Sequence, residues 1–99
     1  MKIWVDDVRP APEGYYWAQS VNDAKAALLL SEKYNVTIEL LDLDHDAGDF
    51  VEYGGDYIKI LDWMEKTGRG CPVRFHTANP VGRMNMTAIA KKNGWRIIP

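Results

Sequence analysis

The sequence predicts an α/β fold, a mostly parallel sheet in a three-layer arrangement, and three observations carry that prediction. Short apolar runs rich in β-branched residues alternate with segments of helical periodicity. The run Lys2-Ile3-Trp4-Val5 is apolar on both faces, as a parallel strand covered by helices requires. Three such runs then break into polar chemistry, at Asp6-Asp7, at Asp44-His45-Asp46 and at His76-Thr77. Parallel strands bring those ends to one edge, where open α/β sheets bind their ligands.

Taken in order, Lys2 to Val5 forms the first strand. Val8-Arg9-Pro10-Ala11-Pro12-Glu13-Gly14 is a loop, because its prolines remove donors and Gly14 favours a turn. Tyr15 to Gln19 reads as an edge strand. Ser20 with Asp23 has the form of a capping box, and Ala24, Ala27, Leu28 and Tyr34 follow at helical spacing, which predicts a first helix running to about Tyr34. Val36, Ile38, Leu40 and Leu41 lead a buried strand into Asp42-Leu43-Asp44-His45-Asp46. Gly48 to Gly55 is a loop, and Asp56 is placed to cap a second helix. Tyr57, Ile60, Leu61 and Met64 give that helix its apolar face, and Gly68 ends it. Cys71 to Phe75 is the next strand, with Pro72 at its entry, where a missing donor is tolerated. Asn79-Pro80, a cap followed by a first-turn proline, opens a third helix that closes at Gly94, before a fifth strand from Trp95 to Ile98.

Ninety-nine residues make a single domain, 1–99, large enough to bury one core without disulfide or metal staples. A net charge of -2 supplies no drive toward bulk nucleic acid or an anionic membrane. The lone Cys71 excludes an internal disulfide and a cysteine-cluster zinc site, and reads as a small apolar residue. The N-terminal run turns acidic at Asp6, too soon for a secretory signal, and no apolar run approaches membrane-spanning length, so a cytoplasmic protein is expected.

Each polar residue at the strand ends has an ordinary reading when taken alone. Asp6 and Asp7 suit a turn, His45 a structural histidine, Asn79 a helix cap, Thr77 a strand-end hydroxyl, and Arg9 and Arg83 surface charges. Their convergence argues for more, since both histidines of the chain fall on one edge. Carboxylates ~4 Å apart repel by ~4 kcal/mol at an effective dielectric near 20, so such a cluster holds a cation, shares a proton or faces water. Asp6, Asp7 and Asp44 offer hard oxygen ligands suited to Mg²⁺ or Mn²⁺, which favours phosphate as a co-ligand. The helix after Pro80 points its N-terminus at the same edge, beside Thr77 and Arg83, and His45 and His76 are available for proton transfer. Asp42 is expected to be solvated or capping, because burial in mid-strand beside Asp44 is costly.

Asp6-Asp7 after the first strand, an acid at the third, and Pro72-Val73-Arg74-Phe75-His76-Thr77-Ala78 resemble the receiver domain of two-component response regulators. In that family the acids bind Mg²⁺, a strand-end aspartate accepts a phosphoryl group, and a Thr or Ser followed by Ala senses it. Two departures stand out: the 8–14 loop is too short for the family's first helix, and Trp95 to Pro99 offers no lysine. A closer match is the cyclic-phosphate-processing receiver family. It is carried by Val5-Asp6-Asp7-Val8-Arg9-Pro10, by Leu43-Asp44-His45-Asp46-Ala47-Gly48, and most specifically by His76-Thr77-Ala78-Asn79-Pro80-Val81-Gly82-Arg83-Met84-Asn85-Met86.

This resemblance implies a five-stranded, receiver-like (flavodoxin-like) sheet of order 2-1-3-4-5 without the first receiver helix. It also implies a pocket of Asp6, Asp7, Asp44, His45, Asp46, His76 and Asn79 that acts on cyclic phosphates. Strand length counted against ordinary receivers makes Asp42 the acceptor position, whereas the Asp-His-Asp motif selects Asp44. The expected function is a divalent-metal-dependent phosphoesterase acting on a cyclic or terminal phosphate of a small nucleotide or an RNA end. Asp6, Asp7 and Asp44 hold the metal, His45 and His76 serve as base and acid, Arg9, Thr77, Asn79 and Arg83 hold the phosphate, and Asp46 stands behind them. The alternative is a phosphate or nucleotide sensor that binds without turnover. The missing lysine makes a true phosphoacceptor the least supported reading.

Overall fold

The computed structural model describes residues 1–99. Its elements are β1 (Lys2–Val5), β2 (Tyr15–Ala18), α1 (Val21–Lys33), β3 (Leu40–Leu43), a 3-10 turn (Gly48–Phe50), α2 (Ile58–Lys66), β4 (Val73–Phe75) and α3 (Pro80–Asn93). The four strands are all parallel, in the order β2-β1-β3-β4, and with the three helices they are consistent with a receiver-like fold. Helix ends follow the sequence signals. Ser20 accepts from the Asp23 N–H at the start of α1, Asn79 accepts from the Gly82 N–H at the start of α3, and Gly94 closes α3 at φ 69°.

Three expectations about elements are corrected. The fifth strand is reduced to one parallel bridge, Val73 to Ile97, because β4 is only three residues long and offers few ladder positions. The third strand starts at Leu40 and not at Val36. Leu40 pairs with Lys2 at the beginning of β1, so the residues before it have no strand to pair with, and the Val36 N–H turns back to the Ser31 carbonyl. Asp56 does not cap α2. Its carboxylate accepts from the Ala47 N–H at 3.0 Å and braces the loop after β3, while α2 begins at Ile58 without a side-chain cap.

The layer count differs as well. The connections through α1 and α2, and the one through α3 to Ile97, step the same way across the sheet, so right-handed crossovers put all three helices on one face. The step from β1 to β2 runs the other way, but it is the proline loop and carries no helix. The protein is therefore two-layered. Ile3, Val5, Leu41, Leu43, Val73 and Phe75 pack against α1, α2 and α3 in one core, and each such large side chain contributes about 1.5–3 kcal/mol when fully buried. The other face carries the cross-strand row Trp17, Trp4, Asp42 and Arg74, whose two end residues are exposed. No helix is long and apolar enough to cross a membrane.

Candidate functional site

Val5, Leu43 and Phe75 are cross-strand neighbours, so Asp6, Asp44 and His76 leave the sheet side by side. The ladder continues one bond further, from the Asp44 N–H to the Val5 carbonyl (2.9 Å) and from the His76 N–H to the Leu43 carbonyl (3.1 Å). This alignment brings one oxygen each of Asp6, Asp7 and Asp44 within 4.8 Å of one another.

Asp6 is fully buried and fully bonded. Its Oδ1 accepts from the backbone N–H of Val8 (3.0 Å) and of Arg9 (2.8 Å), and its Oδ2 faces Arg9 Nε (2.9 Å) and His76 Nε2 (3.0 Å). Burial pushes the carboxyl upward, but the two backbone donors, His76 and the Arg9 charge outweigh it and hold Asp6 below the usual carboxylate value. Asp7 is the opposite case. No side-chain donor reaches it, and its carboxylate lies against Gly48, where a Cβ would collide with Oδ2 and where φ is 54°. Burial and the negative charges of Asp6 and Asp44 raise it.

A raised carboxyl opposes folding once ionised, and that cost grows as pH climbs through the raised value. Asp7→Asn is therefore expected to stabilise the protein at neutral pH by about 0.5–1 kcal/mol, within the range of surface-charge relief, with the gain vanishing on acidification. Urea midpoints at neutral and acidic pH measure this. Asp6 has the reverse sign, since its stabilisation is lost as pH falls.

Asp42 is not solvated. It is 2% exposed in the middle of β3, and His76 Nδ1 lies 2.7 Å from its Oδ1. Arg74 Nε stands 4.0 Å from its other oxygen. The cost of burying Asp42 is offset by this pairing, which the expectation of solvation had left out. His76 thus bridges two buried carboxylates, Asp42 and Asp6, through its two ring nitrogens, and two donors belong to the imidazolium form. Its ring stacks on Trp4 with centroids 3.7 Å apart and planes 3° from parallel. The Trp4 indole N–H donates to the Arg9 carbonyl at 2.9 Å, which ties the proline loop to the sheet.

His45 is arranged differently. Its Nδ1 lies 3.0 Å from Asp46 Oδ1, while its Nε2 has no protein partner and reaches solvent. Asp46 is held below the usual carboxylate value, first by His45 and then by the Asn79 amide against the opposing effect of burial. Gly82, in the first turn of α3, packs directly on the imidazole, and any Cβ there would strike the ring. The His45 backbone N–H donates to Asp44 Oδ1 at 2.8 Å, joining this group to the acids. Thr77 and Arg83 sit at the α3 end of the edge. The Thr77 hydroxyl accepts from the Asn79 N–H (3.1 Å), and Arg83 donates to the Thr77 carbonyl (2.7 Å).

The family model for the cyclic-phosphate processing receiver domain matches residues 1–92. The chain belongs to that family. No curated protein and no solved structure matches it.

In this cyclic-phosphate processing receiver domain the acidic edge has the donor chemistry of a hard divalent cation. Asp7 and Asp44 have lone pairs to spare, because Asp7 receives no side-chain donor and Asp44 accepts one bond on each oxygen. Asp6 has none left. Two carboxylates with water and phosphate suffice for Mg²⁺, so the set fits.

Gly82 and Trp4 escaped sequence reasoning as parts of the site of this receiver domain, and Asp42, weighed as the acceptor position, was expected to be solvated and not paired with His76. Asp42 was itself a signal, since a carboxylate inside an apolar run needs a buried partner. Gly82 was another, because glycine in a helix costs about 1 kcal/mol relative to alanine and so asks for a reason. Trp4 carried no signal that separates it from a core residue.

Proposed function

We propose that this domain is a phosphoesterase that opens a cyclic phosphate on a nucleotide or RNA end, with Mg²⁺ or Mn²⁺ held by Asp7 and Asp44 beside Asp6. The observation that carries the reading is the Asp46–His45 pair, which leaves one imidazole nitrogen, Nε2, without a protein partner in the residue that follows Asp44. When bound, the cation would polarise a phosphoryl oxygen and lower the pKa of a coordinated water.

His45 Nε2 takes the proton from the attacking water as the new P–O bond forms, and Asp46 holds the imidazole in the tautomer that can do so. The same nitrogen returns the proton to the ribose oxygen as the old P–O bond breaks. Arg9, the Asn79 amide and the Val81 N–H hold the phosphate. Val81 is the first-turn N–H of α3 left open, since Pro80 has none and Asn79 already serves Gly82 and Arg83. We assign His76 to holding Asp6 and Asp42, because both of its nitrogens face carboxylates.

The test is hydrolysis of a 2′,3′-cyclic nucleotide by the wild-type chain with Mn²⁺ and with chelator. Turnover that depends on Mn²⁺ is expected. Undiminished turnover in chelator removes the metal from the reading, and none in either condition removes the catalysis. The engagement of His76 favours a second reading, a sensor that binds the cyclic phosphate without opening it, because a single free imidazole must serve as both base and acid. Calorimetric binding without turnover would establish it.

A further inference from the structure

Arg9 spans two of the three carboxylates of the acidic edge. Its Nε lies 2.9 Å from Asp6 Oδ2, and its Nη2 lies 3.0 Å from Asp44 Oδ2 and 3.2 Å from the His76 carbonyl. Its backbone is anchored at both ends, by its N–H on Asp6 and by its carbonyl under Trp4. Its side chain is 51% exposed, and ion pairs with hydrogen bonds hold the guanidinium across the two carboxylates.

We propose that Arg9 is the resident counter-ion of the acidic edge, and that a divalent cation binds there by displacing its guanidinium from Asp44. The inference rests on the metal reading above. Two arguments support it. Asp44 Oδ2 is the oxygen Arg9 holds, so a cation taking up that oxygen would stand directly beside the guanidinium. A double positive charge ~4 Å from a single one is also opposed about thirtyfold in affinity, even at the dielectric of water.

Displacement has a chemical consequence. A guanidinium clamped on carboxylates is unavailable to a ligand, whereas a released one presents its planar fork to phosphate. Cation and phosphate binding then reinforce each other through one side chain. Asp6 and Asp44 also keep a counter-ion before any cation arrives.

The test is calorimetric titration of Mn²⁺ alone into the wild type and Arg9→Gln, each confirmed folded by circular dichroism. Arg9→Gln is expected to bind Mn²⁺ about tenfold more tightly, about 1.4 kcal/mol. Inorganic phosphate should bind the wild type more tightly with Mn²⁺ than without it, and the variant should show a smaller difference. Equal or weaker Mn²⁺ binding by Arg9→Gln overturns the displacement and leaves the metal site standing. Absence of Mn²⁺ binding by both proteins overturns the metal reading and the displacement with it. Should Arg9→Gln fail to fold, the wild type carries the test, and inorganic phosphate binding no tighter with Mn²⁺ than without it overturns the proposal.

Discussion

Replacing His76 by alanine is expected to destabilise the protein by about 3–5 kcal/mol, the usual cost of leaving a buried charge without its partner. The ring separates two buried carboxylates, Asp6 at 0% and Asp42 at 2% exposure, and bonds to both. Without it Asp6 keeps Arg9 and two backbone donors, but Asp42 keeps only Arg74 at 4.0 Å. The stack on Trp4 is lost as well. A loss of this size is a large fraction of the 5–15 kcal/mol typical of a domain. Urea denaturation measures it, and a companion variant identifies its origin. His76→Ala combined with Asp42→Asn should recover much of the loss, with a coupling of about 1–3 kcal/mol. A near-neutral His76→Ala would mean that the bridge carries no net charge interaction.

The largest effect on activity is expected at the other histidine. His45→Gln should lower kcat for cyclic-phosphate hydrolysis by about 10²–10⁴-fold, the range for removing a general acid–base, with stability within about 1 kcal/mol. Steady-state kinetics beside urea midpoints separate the two effects. Gly82→Ala provides a second approach. The added methyl removes no reactive atom but must push the imidazole from its place, so kcat should fall while the fold survives. Full activity in both variants would take His45 out of the mechanism.

The strand ends were legible in the sequence because each is a local event, an apolar run interrupted by acids or by His-Thr, and parallel strands then align them. The caps at Ser20 and Asn79 were legible for the same reason, since a cap and its donor lie three residues apart. The pairing of Asp42 with His76 was not, because it spans thirty-four positions and depends on the register of β3 against β4. Trp4 made β1 read as a strand covered on both faces. Its neighbours on that face proved to be Trp17 and Asp42, and coverage was decided by the direction of the crossovers, which no single segment encodes. Asp56 misled because a carboxylate before an apolar run has the same local pattern whether it caps its own helix or braces a distant loop.

A sheet covered on one face buries less apolar surface per residue than one covered on both, so the conformational equilibrium of this chain has a thin margin. Anything that binds the native state and not the unfolded chain then moves that equilibrium conspicuously. By mass action, a ligand present at about 100 times its dissociation constant adds about 2.7 kcal/mol, which for a chain of this length is a rise on the order of ten degrees in Tm. The half-covered sheet thus makes the protein a sensitive thermal reporter of its own ligand, and a melting-temperature screen of cyclic and terminal phosphates can find that ligand before any turnover is measured.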